Sequence, residues 1–199
     1  MAKTLAFSVT AALGIALAAC SGNATDTEEN VLTANEVGTV DPMANTAMGG
    51  MNDSAAAAMP AADYVTQAAA SDMFEIRSSE LAADKAESAE VKELARMLIT
   101  DHTRSSNELK TIAASMQPQL DVPAALPAAM QSQIDQLEGA SGAEFDRLYA
   151  TQQVQAHQQA LDLHRRYAEA GDAAQLKTFA ERTAGVIEGH LERAQQLAR

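Results

Sequence analysis

Three of the four histidines in this chain occupy positions where a helix would face the interior of a folded domain. His102, His157 and His190 each lie on the apolar side of a separate predicted helix, and Glu75 lies at the edge of the apolar side of a fourth. Residues near the middle of antiparallel helices reach the same height, because each residue rises about 1.5 Å along the axis. We therefore expect one carboxylate and three imidazoles to converge, which is a ligand set for Zn, Fe, Cu or Mn.

Two further residues are candidates for supporting roles around this cluster. Asp101 could act as another ligand or accept a hydrogen bond that selects the tautomer of a neighbouring imidazole, and Tyr149 could act as a further hydrogen-bonding partner. The same residues also fit a simpler interpretation that needs no ion. Imidazoles paired with Glu75, Asp101, Gln153 or Tyr149 would form a buried polar layer that sets helix register, since buried polar groups are tolerated when they are paired.

Two kinds of chemistry are disfavoured by what the sequence lacks. Carboxylate-bridged di-iron bundles carry Glu three residues before His on two helices, but Ile99 and Ile187 stand three residues before His102 and His190. The sequence also contains no Gly-x-Ser-x-Gly motif and no glycine-rich phosphate loop. These absences favour a non-enzymatic binding role. A ferritin-like metal-dependent oxidoreductase or metal-storage protein is the alternative.

Four long amphipathic helices must position these residues. Apolar residues recur every three or four positions over four stretches, residues 61–86, 88–116, 143–170 and 173–198. Pro118, Pro123 and Pro127 end the second helix and require an extended crossover, after which residues 128–137 could form a short helix. No alternating strand pattern is present, so we predict an all-α, ferritin-like antiparallel four-helix bundle in which a proline-rich crossover joins two helical hairpins.

The residues before this domain predict a leader and a tether. Residues 1–19 carry Lys3 and an apolar stretch too short to span a membrane comfortably. They end in Leu17-Ala18-Ala19 followed by Cys20, which resembles a bacterial lipobox and implies cleavage before Cys20 and its lipidation. Ser21 after the cysteine implies, by the same resemblance, the outer membrane. Anchoring through attached acyl chains would then make the membrane a partner of this chain.

Residues 20–59 are polar and acidic and contain no basic residue, which predicts a disordered tether ahead of a folded domain at residues 60–199. The tether contains four methionines, Met43, Met48, Met51 and Met59. Thioethers are soft ligands that favour Cu(I), so copper capture by the tether is one hypothesis. Because no histidine accompanies these methionines, a low-complexity linker with incidental methionine is the other.

The overall charge argues against nucleic acid as a partner. The chain has 27 Asp and Glu against 14 Lys and Arg, and phosphate binding depends on clustered positive charge. Only 4% of the residues are aromatic and none is Trp, so the core must consist mainly of Ala, Leu, Ile, Val and Met. Such a composition favours helices over sheets.

Several motifs across the domain resemble one bacterial family. They are Glu75-Ile76, Leu81-Ala82-Ala83, Val91-Lys92, Met97-Leu98-Ile99-Thr100-Asp101-His102, Phe145-Asp146-Arg147-Leu148-Tyr149 leading to His157, and Leu176-Lys177-Thr178-Phe179-Ala180 leading to His190-Leu191. The family is a domain of unknown function, often labelled "predicted outer membrane protein", with a ferritin-like helical bundle. The sequence departs from its pattern at His164 and at Ser78-Ser79.

The resemblance implies the fold and an envelope location but no reaction, because the family has none assigned and fold does not give function. We therefore expect a lipid-anchored helical protein facing the periplasm, with a binding or envelope-stress role. A third hypothesis is a structural bundle that docks a protein partner, or a second copy, through the face of the first helix that carries Phe74 and Leu81.

Overall fold

The computed structural model describes residues 58–199, all of which fall in one compact unit. Within that range the chain forms five helices and no strand: α1 (Ala61–Lys85), α2 (Ala89–Ser115), α3 (Ala128–Gly139), α4 (Gly142–Ala170) and α5 (Ala174–Leu197). The predicted all-α class is therefore confirmed for this part of the chain. The leader at residues 1–19, Cys20, and Met43, Met48 and Met51 of the tether lie outside the described residues.

The four long helices pack as two hairpins. α1 packs against α2 and α4 against α5, and the hairpins meet through contacts of α1 with α4 and of α2 with α5. The twelve-residue α3 comes after the proline-rich crossover and packs on α1 and α4. No helix among residues 58–199 is both long and apolar enough to cross a membrane.

Side-chain hydrogen bonds fix the connection between α1 and α2 and link it to α3 and α4. Ser88 caps α2 by accepting a hydrogen bond from the Val91 amide at 3.2 Å. The carboxylate of Asp146 on α4 accepts from the amides of Glu87 and Ser88 at 3.1 and 2.8 Å. Lys85 donates to two carbonyl groups at the end of α3. The first hairpin is thus held to α3 and α4 at one end of the molecule.

A polar layer separates two apolar clusters in the interior. One cluster contains Tyr64, Leu109, Leu163, Tyr167 and Phe179, together with smaller residues. The other contains Leu94, Leu98, Phe145 and Tyr149 among its members. On each long helix the buried histidine or carboxylate stands between the stretches that supply these two clusters. The layer therefore crosses the middle of the molecule, as the sequence predicts.

The inward face of α1 differs from the prediction. Phe74, predicted to lie on a face available for docking a partner, is buried, whereas Ile76 two residues later is only partly buried. The added helix α3 packs on α1, and Phe74 lines a cavity of about 560 Å³ between α1, α3 and α4. Leu81 is partly buried against the second apolar cluster. The sequence pattern of α1 is broad because three helices, α2, α3 and α4, pack against it.

Gly171, between α4 and α5, is required by close packing. A Cβ atom there would lie 2.6 Å from both the ring and the backbone oxygen of Tyr167. We expect Gly171→Ala to lower the free energy of unfolding by about 1–3 kcal/mol, as overpacking does. Gly185→Ala is the control, since no atom lies within 4 Å of its Cβ position and a helical Gly→Ala change should stabilise by about 1 kcal/mol. Urea unfolding of both variants measures the difference; equal effects would contradict this packing role.

Candidate metal centre

Three buried imidazoles converge in the polar layer. His102 comes from α2, His157 from α4 and His190 from α5, and each is at most 4% exposed. Their ring centroids are 5.4 to 5.7 Å apart, and one potential ligand atom from each lies within 4.8 Å of those of the other two. We call these three residues the histidine triad.

One nitrogen of each triad ring faces a hydrogen-bond acceptor. His102 Nδ1 lies 2.8 Å from Asp72 Oδ1, and His190 Nε2 lies 3.1 Å from Asp101 Oδ2. His157 Nδ1 lies 2.9 Å from the backbone oxygen of Gln153. A carbonyl or ionised carboxylate can only accept, so each ring donates from this outer nitrogen. In the neutral imidazole the other nitrogen then carries the lone pair.

The three inner nitrogens have no partner. His102 Nε2, His157 Nε2 and His190 Nδ1 are all buried, and no protein donor reaches any of them. When all three rings are neutral, the inner nitrogens are all acceptors, so they cannot satisfy one another by hydrogen bonding. A buried polar layer explains the outer nitrogens but leaves three lone pairs unpaired. A bound cation would satisfy all three at once.

Glu75 lies beside the outer side of the triad. Its Oε1 is 3.5 Å from His157 Nδ1, and neither of its carboxylate oxygens has a hydrogen-bond partner. Burial raises the pKa of Glu75 to about 7, an effect that the nearby His102 partly offsets. The set whose ligand atoms converge consists of the three histidines, and Glu75 is outside it. Its position is that of a carboxylate that supports a ligand.

The two predicted supporting residues have different surroundings. Asp101 accepts the hydrogen bond from His190 described above and also pairs with Arg104 at 3.4 Å. The hydroxyl of Tyr149 lies 2.9 Å from Ser79 Oγ, at the edge of the second apolar cluster. Asp101 therefore touches the triad directly, whereas the hydrogen bond of Tyr149 goes to Ser79.

Asp72 is the residue that the sequence interpretation missed. It is buried and bonded to His102, and its Oδ2 has no partner. A signal was present, because Asp72 lies on the inward stripe of α1 between Ala69 and Ile76. A carboxylate at such a position is seldom buried unless it is paired.

Two of the three triad rings have lowered pKa values and are neutral at pH 7. Burial and the neighbouring His102 lower the pKa of His157 to about 3. The same two effects lower the pKa of His190. Burial also acts to lower the pKa of His102, but the hydrogen bond to Asp72 and the charge of Glu75 raise it overall. Metal ligands must be deprotonated, so a cation would compete with at most one proton, on His102.

A surface cavity reaches the triad from one side. Its volume is about 190 Å³, and it lies between α2 and α5 with Asp101, His102 and His190 among its lining residues. Three apolar residues, Phe179, Val186 and Ile187, also line it, and the remaining lining residues are polar or charged. Two of the three triad residues therefore line a cavity that is open to solvent.

The fourth histidine, His164, is buried but lies outside the triad. Its Nδ1 is 2.8 Å from the hydroxyl of Tyr64, whose ring stacks on Tyr167 with centroids 3.9 Å apart. Burial raises the pKa of Tyr64, so its hydroxyl stays protonated and donates to His164. His164 thus has the satisfied hydrogen bond that the inner nitrogens of the triad lack.

The buried His164 also predicts how acid affects stability. Burial lowers its pKa from 6.5 to about 4 in the folded state. The neutral His164 therefore contributes fully to the free energy of unfolding above pH 6.5. About 3 kcal/mol of that free energy is lost as the pH falls from 6.5 toward 4. In metal-free protein, the free energy of unfolding of His164→Phe should decline less than that of the parent between pH 6.5 and 4, as urea titrations would measure. Parallel declines would contradict the assignment.

Solved structures with the same fold carry metal ions. The chain is similar to CopM in the Cu(II)-bound form, with a TM-score of 0.61 and 22% identity over 71% of this chain and 97% of that chain. It is also similar to CopM in the Ag-bound form, with a TM-score of 0.58 and 23% identity over 69% and 94% of the two chains. For CopM in the Cu(I)-bound form the TM-score is 0.57 and the identity 20%, over 68% and 92%. At these identities the likeness establishes a shared fold.

The comparison with protein families covers most of the domain. No curated protein matches the chain. A domain of unknown function, DUF4142, matches residues 46–197, a range that contains all five helices and the histidine triad. The chain therefore belongs to the DUF4142 family.

Proposed function

We propose that this protein binds a single copper ion through His102, His157 and His190. The observation that carries the proposal is the set of three buried inner nitrogens without a hydrogen-bond partner, each on a ring whose outer nitrogen is already held. The fold shared with CopM, whose solved forms contain Cu(II), Cu(I) and Ag, supports the choice of copper.

The donor set favours copper over the other metals considered. Imidazole suits Cu, Zn and Fe, whereas Mn prefers oxygen ligands. Non-haem iron sites of the common kind combine two histidines with one carboxylate ligand, but here the carboxylates lie at the outer nitrogens. Three histidines also suit Zn, and the higher affinity of nitrogen sites for Cu(II) than for Zn(II) favours copper between the two.

The proposed role is binding and retention rather than catalysis. The inner nitrogens are buried, and within residues 58–199 the triad is the only group of converging metal-binding side chains. A ferritin-like oxidoreductase or metal-storage protein is the alternative, and the packing of four long helices agrees with a ferritin-like arrangement. Turnover of a redox substrate by the copper-loaded protein would favour that alternative.

We propose the cell envelope as the place of action. Residues 1–19 would act as a lipoprotein leader, Cys20 as the lipidated residue, and residues 20–59 as a tether that holds the domain in the periplasm. Cys20→Ser should move the protein from the membrane fraction to the soluble fraction, as immunoblots of fractionated cells would show. Retention of the variant in the membrane fraction would contradict anchoring at Cys20.

A copper titration with matched histidine variants tests the metal site. The full chain, without an affinity tag and with Cys20→Ser so that no thiol contributes, should bind one equivalent of Cu(II). His102→Ala, His157→Ala and His190→Ala should each weaken Cu(II) binding more than about 100-fold, since loss of a supporting residue alone typically costs 10- to 100-fold. A competition with Zn(II) tests the identity of the metal.

His164→Phe is the control, because it removes a buried histidine outside the triad. It should bind Cu(II) as the parent does. If the parent binds no copper, or if His164→Phe loses copper to the same extent as the triad variants, the proposed site is wrong.

A further inference from the structure

Each ring of the triad has its own carboxyl group on the side away from the centre. Asp72 lies 2.8 Å from the outer nitrogen of His102, Glu75 lies 3.5 Å from that of His157, and Asp101 lies 3.1 Å from that of His190. Three of the six carboxyl oxygens, Asp72 Oδ2 and both oxygens of Glu75, are buried with no partner. The centre thus holds more buried carboxyl oxygens than its hydrogen bonds satisfy.

No arginine or lysine in the described part of the chain pairs with Asp72 or Glu75. Their charged-group contacts go only to the imidazoles of His102 and His157. Taking carboxylates out of water is costly unless a cation compensates them. A cation at the inner nitrogens would lie one imidazole ring away from each carboxyl group.

We infer that these carboxyl groups tune the centre for a divalent ion, so that bound copper is held as Cu(II) in preference to Cu(I). This inference rests on the proposed copper site. In an environment of low dielectric constant, the attraction between the carboxylates and the ion scales with the charge of the ion, so Cu(II) gains about twice what Cu(I) gains. A carboxylate that accepts from the outer nitrogen also makes the imidazole a more basic ligand, which favours the more highly charged ion.

The surroundings of the carboxyl groups predict an order of importance. Asp72 is 5% exposed and pairs with no arginine or lysine, so its charge acts almost unscreened. Asp101 is 24% exposed and also pairs with Arg104, which offsets part of its charge. We therefore expect Asp72 to affect the oxidation state of the ion more strongly than Asp101 does.

The reduction potential of the copper-loaded full chain tests the inference. Asp72→Asn keeps an oxygen that can accept from His102 Nδ1 and removes only the charge. It should weaken Cu(II) binding about tenfold and Cu(I) binding about threefold, because Cu(II) gains about twice as much from the charge. A tenfold change in the ratio of the two dissociation constants raises the one-electron potential by about 59 mV, so this roughly threefold change raises it by about 30 mV. Asp101→Asn should raise the potential by a smaller amount.

Asp84→Asn is the matched control, because it is the same substitution on the same helix at an exposed position. Its potential should equal that of the parent. The inference is overturned if Asp72→Asn shifts the potential no more than Asp84→Asn does, or if it weakens Cu(I) and Cu(II) equally. In both of these outcomes the parent protein still binds copper at the triad. If the proposed function itself is wrong, the parent protein binds no copper in the titration.

Discussion

Saturation with Cu(II) is expected to raise the free energy of unfolding of this protein by about 4 kcal/mol when free Cu(II) is about 1,000 times its dissociation constant. The ligands come from α2, α4 and α5, so the unfolded chain cannot hold them together, and binding stabilises only the folded state. Urea unfolding of the full chain with Cys20→Ser, with and without buffered Cu(II), measures the effect.

The control for this prediction is the variant in which all three triad histidines are replaced by alanine. Its free energy of unfolding should not change with Cu(II), because the remaining histidine, His164, lies outside the centre and is bonded to Tyr64. Equal stabilisation of the parent and the triple variant would place the bound ion elsewhere on the chain.

The second large effect concerns the protein without metal, which His157→Leu should stabilise by about 1–3 kcal/mol. His157 is 1% exposed, and its Nε2 is a buried acceptor without a donor. Leaving a buried acceptor unsatisfied costs about 1–3 kcal/mol of folding free energy, and an apolar side chain of similar size removes this cost. The gain would come with the loss of copper binding, as expected where a site is kept for function at the expense of stability.

The matched control is His164→Phe, which should lower the stability of the metal-free protein. His164 accepts a hydrogen bond from the buried Tyr64 hydroxyl, and phenylalanine would leave that hydroxyl without its partner. Urea unfolding in the presence of a chelator measures both variants. If His157→Leu also destabilises, the histidines form a satisfied structural layer and the metal site loses its main physical support.

Periodicity was enough to predict the part of the site that depends on helix phase. His102, His157 and His190 repeat the spacing of the apolar residues around them, so their convergence follows once the helices pack in register. Asp101, suggested from its place beside His102 as a further ligand or an acceptor for a neighbouring imidazole, lies within hydrogen-bond distance of His190. The resemblance to a family of unknown function is confirmed by the match to DUF4142.

The first helix was harder to predict, because three helices pack against it. The pattern over Phe74, Glu75 and Ile76 has no single apolar face, and only the packing of α3 explains why Phe74 is buried. The pairing of Asp72 with His102 depends on the height at which α1 meets α2, which periodicity does not determine. Sequence alone therefore predicted the imidazoles but missed one of the carboxylates that hold them.

The choice between a polar layer and a metal site required individual atoms. Both hypotheses predict buried histidines with hydrogen-bond partners. They differ in whether the second nitrogen of each ring is satisfied, and the sequence contains no information on that point. The outer nitrogens of His102, His157 and His190 bond to Asp72, Gln153 and Asp101, and the inner nitrogens bond to nothing.

X-ray absorption spectroscopy of the full chain with Cys20→Ser, loaded with one equivalent of Cu(II), examines these inner nitrogens directly. We expect three imidazole nitrogens at about 2 Å from the copper, with no sulfur ligand, and the loss of the three-imidazole signal in His157→Ala. A spectrum with sulfur ligands, or one that His157→Ala leaves unchanged, would show that copper binds outside the histidine triad.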